Sequence, residues 1–153
     1  LTIFFIIMFI GGCAGSTTCG IKIFRIQVLY ETAAAQIRRL VQPHGIFIPY
    51  YNRSPITDEV AMSVMSFFFF YVLVFVILAL GLSALGLDFL TALSGAATAI
   101  SNVGPGLGPV IGPDGNFTSL PDAAKWLLSA GMLLGRLELF TILVLFAPAF
   151  WKA

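Results

Sequence analysis

The sequence has little charge for its length. Charged residues make up 10% of the 153 positions, against about 25% in ordinary soluble domains. Hydrophobic residues make up 59%, and a domain of this size keeps too much surface exposed to hide so many apolar side chains from water. The composition therefore excludes a soluble globular protein and indicates a membrane protein.

Histidine, cysteine and excess basic charge are also scarce. One histidine and two cysteines are too few for a metal centre with clustered side-chain ligands or for a disulfide framework. The formal net charge of +1 provides no basic stripe of the kind that nucleic acids require. We therefore expect no nucleic-acid partner, no organic cofactor and no enzyme active site.

The sequence begins at Leu1, inside an apolar run, with no methionine and no basic segment before it. A secretory signal peptide starts with a positively charged region, so no signal peptide is predicted. We expect the 153 residues to be a piece of a longer protein.

Two stretches are long enough to cross a bilayer as helices. Residues 60–87 contain no charged side chain, and about 20 helical residues suffice for a hydrocarbon core of about 30 Å. The acidic residues Asp58 and Glu59 suit the first turn of such a helix. Residues 122–151 form the second predicted span. Arg136 lies near its middle, where a charge is costly and therefore a functional candidate.

Two other apolar stretches are too short to cross. Residues 1–13 and 89–100 reach only about 20 Å as helices, and each leads into a loop rich in glycine. Apolar helices of this length are often re-entrant, and irregular backbone at membrane depth persists only beside water or inside protein. Setting Gly15 on Gly104 aligns the two units as an internal repeat.

Residues 21–41 carry five charges, but the chain must cross the membrane there so that the predicted span of residues 60–87 can cross it in the opposite direction. We expect a span lined by protein and water. The connection of residues 38–59 holds Arg38, Arg39 and Arg53, whereas residues 83–121 hold no lysine or arginine. The positive-inside rule therefore places that connection in the cytoplasm and both glycine-rich loops outside.

A half-length helix and a glycine-rich loop between two spans have the geometry of a cation filter. The carbonyl oxygens of such a loop replace the ion's hydration shell, and glycine permits the positive φ that turns carbonyls inward. A secondary transporter of small solutes is the alternative, because its broken helices also carry glycine and proline. Transporters of that class favour an intramembrane carboxylate at the substrate site. The acidic residues of the predicted spans are not next to either glycine-rich loop.

Three motifs resemble potassium uptake proteins of the Trk, Ktr and HKT type, and bacterial TrkH proteins most. Residues 11–17 (GGCAGST) with residues 20–22 (GIK) resemble the third pore loop of that family. Residues 99–108 (AISNVGPGLG) with residues 120–126 (LPDAAKW) resemble the fourth pore loop. Residues 131–138 (GMLLGRLE) resemble the last span. Together these motifs cover nearly the whole chain.

The resemblance implies an all-α membrane protein with four repeats of span, pore helix, filter loop and span around one pore. Residues 1–53 would hold the end of the third repeat, and residues 54–153 the whole fourth repeat. Arg136 would be the pore-side arginine. The expected filter residues, which would bind potassium through backbone carbonyls, are Cys13, Ala14, Gly15, Ser16, Thr17, Asn102, Val103, Gly104, Pro105 and Gly106. The expected kinked gate comprises Thr32, Ala33, Ala34 and Ala35.

The resemblance also implies a transported ion, a location and partners. The ion would be potassium, with sodium as a second candidate, and both a channel-like pore and coupled symport remain open. The location would be the bacterial inner membrane, crossed several times and surrounded by lipid. The family works as a homodimer with a cytosolic nucleotide-binding regulatory subunit. One departure is that Thr18 and Cys19 replace a frequent Gly-Gly pair, which would narrow or stiffen the outer end of the third loop.

Overall fold

The structure, a computed structural model, describes residues 2–13 and 19–136. Within these residues the regular secondary structure is helical, apart from one short hairpin. The elements in chain order are α1 (Thr2–Ile7), α2 (Ile23–Val41), β1 (Tyr50–Tyr51), β2 (Ser54–Pro55), α3 (Asp58–Ala84), α4 (Phe89–Ser101), a 3-10 turn (Phe117–Ser119) and α5 (Asp122–Arg136).

Helix α3 is the predicted uncharged span. It has 27 residues, or about 40 Å of helix, and it begins at Asp58 with two acidic residues in its first turn. The N-cap residue Thr57 makes no side-chain capping bond. The chain leaves the helix through Gly86, whose φ is +85°. Among the described helices, α3 is the one that is long and apolar enough to cross a membrane.

Helix α4 is the predicted half-length helix, and it packs between α3 and α5. Ten of its 13 residues are buried. Most of them are small, which lets neighbouring helices approach closely in the absence of water. Its first turn is capped by the Asp88 carboxylate, which accepts a hydrogen bond from the Leu90 amide. The side chains of Leu82, Ile100 and Leu128 are buried where the three helices meet.

Helix α2 is a second long helix, of 19 residues or about 28 Å. It packs on α3 through the small buried cluster of Val28, Ile56 and Val64. The guanidinium of Arg25 lies 3.8 Å from the centre of the Phe67 ring on α3. A cation over an aromatic face is attracted by the ring quadrupole, so this charge contributes to the contact between the helices.

Helix α1 is shorter than the sequence predicts. The apolar run of residues 1–13 was expected to be one half-length helix, but the described helix is Thr2–Ile7. From Ile10 the backbone is extended and pairs with Ile21 in a parallel bridge. The amide of Gly11 then donates to the Ile21 carbonyl instead of continuing the helix.

The gate segment expected at Thr32–Ala35 lies in the middle of a helix. Helix α2 runs without interruption from Ile23 to Val41. Alanine is the strongest helix former, and the segment contains neither glycine nor proline. The local sequence therefore favours a regular helix at this position.

A hairpin joins α2 and α3. Residues Tyr50 and Tyr51 pair antiparallel with Pro55 and Ser54, and the two turn residues between them have positive φ, as in a type I′ turn. The expected boundary between residues 53 and 54 falls inside this turn, so the strands tie the two predicted units together. The Arg39 guanidinium holds the connection by donating to the Phe47 carbonyl at 2.8 Å.

Candidate functional site

The loop after α4 is fixed to that helix by hydroxyl side chains. The Thr98 hydroxyl accepts a hydrogen bond from the Gly104 amide at 2.9 Å, and the Thr98 carbonyl accepts one from the Val103 amide at 3.2 Å. One turn earlier, the Ser94 hydroxyl accepts a bond from the Leu107 amide at 3.0 Å. The helix therefore binds the amide groups of the loop.

Left-handed backbone occurs in this loop where the sequence predicts it. Asn102 has a φ of 51° and Gly104 a φ of 110°; asparagine and glycine are the residues that adopt such values most readily. A Cβ on Gly104 would meet no atom within 4 Å. Gly106 differs, because a Cβ there would collide with the Ile111 side chain. Backbone conformation requires the first glycine, and packing requires the second.

The carbonyl groups of residues 102–105 are not hydrogen-bonded to α4, in contrast to the amides of Val103 and Gly104. In the described part of the chain, no hydrogen bond is donated to these four carbonyl oxygens, and all four residues are exposed. They follow the carboxyl end of α4, where the helix dipole is negative. An exposed set of carbonyl oxygens at a negative helix end can coordinate a monovalent cation.

The first glycine-rich loop is closed at its base. The amide of Gly11 donates to the Ile21 carbonyl at 2.6 Å, and a Cβ on Gly11 would lie 2.8 Å from the Cys19 carbonyl. Gly20 has a φ of +83°, and its own Cβ would lie 3.3 Å from the Phe9 carbonyl. Two glycines therefore let the chain segments before and after the loop approach closely, and this close contact forms the neck of the loop.

Four of the five residues predicted to form the first filter segment lie outside the described residues. The fifth, Cys13, is exposed where the loop leaves its neck. The residues outside the description are Ala14, Gly15, Ser16 and Thr17, together with Thr18 of the variant pair.

One turn of α5 contacts both loops. The Asn102 side-chain amide donates to the Met132 carbonyl at 2.9 Å. Four residues further, the Arg136 guanidinium lies 3.8 Å from the Cys19 sulfur. Gly135 faces the Ile100 carbonyl so closely that a Cβ would collide with it. The structure thus places Arg136 beside the outer end of the first loop and one turn from the anchor of the second.

The predicted gate segment lies away from these loops, over the hairpin side of α2. Ala35 is buried, and the Thr32 hydroxyl is enclosed without a hydrogen-bond partner among the described residues. Both line a groove of about 330 Å³ between α2 and α3 that also includes Arg39 and Asp58. The structure therefore joins this segment to the connection rather than to the loops.

Two sets of residues that hold the site were missed by sequence reasoning. Ser94, Thr98 and Ser101 are spaced by four and three residues, so they form one polar stripe on an otherwise apolar helix. Gly131 and Gly135 form a G-x-x-x-G pattern, which is typical of closely packed membrane helices. Both patterns are visible in the sequence and indicate which faces of α4 and α5 are buried.

Two curated proteins are similar in sequence to most of this chain. The Trk system potassium uptake protein TrkI of Halomonas elongata is 58% identical over 149 residues, which are 97% of this chain and 30% of that protein. The Trk system potassium uptake protein TrkH of Escherichia coli K12 is 42% identical over 144 residues, or 94% of this chain and 29% of that protein.

A solved structure has the same fold. The crystal structure of the potassium transporter TrkH from Vibrio parahaemolyticus matches with a TM-score of 0.87 and 42% identity, over 98% of this chain and 31% of that one. The chain thus spans about 30% of the length of these relatives, and the match confirms the predicted helical membrane fold.

The family comparison covers the chain from end to end. Residues 1–153 match the TrkH family, which is described as cation transport proteins. This description agrees with the prediction of a transport protein rather than an enzyme. The fold, the two glycine-rich loops and the match over all 153 residues lead to one conclusion: the chain belongs to the TrkH family of cation transport proteins.

Proposed function

We propose that this chain contributes two of the four pore loops of a potassium uptake protein. The observation that carries the proposal is in the loop of residues 102–106: residues 102–105 are exposed, and their carbonyl oxygens accept no hydrogen bond within the described chain. Thr98 binds the Gly104 amide, and Ser94 binds the amide of Leu107, which follows the loop. The relatives that match along the chain are potassium uptake proteins, so potassium is the proposed ion, with sodium as a second candidate.

Electrostatics supports this role for the loop. A dehydrated cation loses strong interactions with water, and a ring of fixed carbonyl dipoles can replace them. The negative end of the α4 dipole adds to the attraction. A buried helix held between α3 and α5 keeps these dipoles oriented before the ion arrives, so no reorganisation is needed on binding.

The first loop is proposed as the equivalent element of the third repeat. Residues 13–17 would supply its carbonyls, with Gly15 in the position that Gly104 has in the second loop. The neck at Gly11 and Gly20 holds the ends of that loop together. Residues 1–53 and 54–153 then belong to the third and fourth repeats of the whole protein.

Arg136 is proposed as a fixed positive charge beside the ion path. Its contact with Cys19 and the contact of Asn102 with the same turn of α5 support a position between the two loops. A guanidinium stays protonated at any physiological pH. It would lower cation occupancy next to the filter and so favour release of the ion.

The remaining features complete the proposed assembly. The protein would cross the bacterial inner membrane several times, form a homodimer and bind a cytosolic nucleotide-binding subunit. The segment Thr32–Ala35 would be the gate, because its groove is continuous with Arg39 and the connection that is predicted to be cytoplasmic. A subunit pulling on that connection would then move α2.

Gly104→Ala in the full-length protein tests the filter, with Gly86→Ala as its matched control. Both glycines have positive φ and open space around a Cβ, so each substitution costs about 1–2 kcal/mol of backbone strain. We expect Gly104→Ala to lower the K⁺/Na⁺ uptake ratio in a potassium-uptake-deficient strain, because it turns a carbonyl off the ion path. Gly86→Ala should leave that ratio unchanged. Equal ratios in both variants and the parent would disprove the filter.

A further inference from the structure

Behind the loop of residues 102–106 lies a buried pair of hydroxyl groups. The Tyr71 hydroxyl on α3 is 2.7 Å from the Ser101 hydroxyl on α4. Tyr71 is 3% exposed and Ser101 is 6% exposed. Ser101 is the last residue of α4 and Asn102 begins the loop, so the pair fastens α3 to the point at which the loop starts.

Tyr71 also contacts the base of the first loop. Its ring packs edge-on against Phe9, with 6.4 Å between centroids and 74° between planes. The Phe9 carbonyl accepts a hydrogen bond from the Ile21 amide at the neck. On α3, the ring of Phe67 lies 5.9 Å from that of Tyr71 and carries the Arg25 guanidinium over its face. One tyrosine therefore supports the bases of both loops.

We propose that Tyr71 and Ser101 are positioning residues that set the ion selectivity of the loops. This inference rests on the proposed function of residues 102–106 as an ion-binding segment. Neither hydroxyl belongs to that segment. Each acts by fixing the end of α4, and the carbonyl-bearing loop of residues 102–106 begins at that end. Discrimination between potassium and sodium depends on the spacing and number of those carbonyls. If the start of the loop can shift, the carbonyls lose their fixed spacing and bind the two ions more equally.

The physical reason for expecting a sizeable effect is burial. Removing one hydroxyl leaves the other without its partner in an enclosed site, which costs more than the net value of the bond itself. The end of α4 can then move to find another donor or acceptor. Such a movement reaches Asn102 at once, since it is the next residue.

The experiment is a double-mutant cycle in the full-length protein. Tyr71→Phe, Ser101→Ala and the double variant are compared in proteoliposomes by initial uptake of K⁺ and Na⁺. Tyr50→Phe, which changes an exposed tyrosine of the hairpin, is the matched control. We expect each single variant to lower the K⁺/Na⁺ ratio by about 2- to 10-fold, a change no larger than the free energy of one hydrogen bond allows. The double variant should be no worse than either single one.

Several results would overturn this inference. The ratio could stay at the parent value in both single variants, or their effects could add in the double variant, which would mean that the hydroxyls do not act as a pair. Lower melting temperature and total uptake with an unchanged ratio would make the pair merely structural. If Gly104→Ala changes the ratio while Tyr71→Phe does not, the filter stands and only this inference fails. If Gly104→Ala has no effect, both fail.

Discussion

Arg136 is a charged side chain near the middle of the predicted span of residues 122–151. A charge at the centre of a membrane helix costs at least about 2.5–3.5 kcal/mol on insertion scales, and a guanidinium cannot avoid this cost by losing its proton. One of its contacts in the structure is with Cys19, whose sulfur lies 3.8 Å from the guanidinium. Water and carbonyl groups along an ion path would also compensate such a charge.

Arg136→Gln should therefore keep the fold and change transport. Loss of the positive charge is expected to raise cation occupancy at the filter, so the half-saturating K⁺ concentration should fall. Arg136→Lys should change it less, since it keeps the charge and loses only the planar set of donors. Uptake against external K⁺ and Na⁺ in proteoliposomes measures this, with a melting curve in detergent as the control for folding. If Arg136→Gln unfolds the protein and Arg136→Lys restores every property, the residue is a structural ion-pair member.

The sequence predicts the backbone conformation of the loop residues better than it predicts the side chains that hold the loop. The left-handed backbone at Asn102 and Gly104 was predictable, because few other residues tolerate it. The anchoring roles of Ser94 and Thr98 were not predicted. A hydroxyl inside an apolar helix can bond its own helix backbone or a neighbour, and only the fold decides which partner it finds.

Close packing of α5 on α4 depends on two glycines with different surroundings. A Cβ on Gly135 would collide with the Ile100 carbonyl, which belongs to the backbone of α4. A Cβ on Gly131 would lie 2.8 Å from the Leu78 side chain and 3.2 Å from the Ala99 Cβ. A leucine side chain can change rotamer, whereas a helix backbone cannot move without displacing the loop that follows it.

Gly135→Ala should accordingly destabilise the protein more than Gly131→Ala. Overpacking of this kind costs about 1–3 kcal/mol, and we expect Gly135→Ala to be at the upper end and also to reduce potassium uptake through displacement of Ile100. The measurement is the melting temperature of the full-length protein in detergent, together with uptake. Equal melting temperatures for the two variants would contradict the close approach of α5 to α4.

The long helix α3 and the half-length helix α4 were predicted well, and the extent of α1 was not. Apolar composition located α3 and α4, together with the acidic first turn of α3, because uninterrupted apolar runs have few alternatives in a membrane. The end of α1 depends on the bridge between Ile10 and Ile21, a contact between residues on either side of a loop. Local sequence does not encode that contact.

The outward surface of the described residues is strongly apolar, and this indicates what surrounds the molecule. Helix α3 exposes large side chains along its length, among them Met62, Phe69, Ile77 and Leu80. A water-soluble protein does not expose such a continuous apolar surface. Bilayer lipid and the other repeats expected in the full-length protein are the surroundings that this face requires.

The predicted orientation of the molecule rests on its basic residues and can be tested by cysteine labelling. Arg38 and Arg39 lie in the last turn of α2 and Arg53 in the hairpin turn that follows, and the positive-inside rule predicts that this end of the molecule faces the cytoplasm. We expect a membrane-impermeant maleimide to label Asp114→Cys in intact cells, above the background of the parent protein. His44→Cys should react only after the cells are permeabilised, because it lies on the other side; both original residues are exposed. Labelling of His44→Cys in intact cells, with Asp114→Cys protected, would reverse the topology and place the filter loops on the cytoplasmic side.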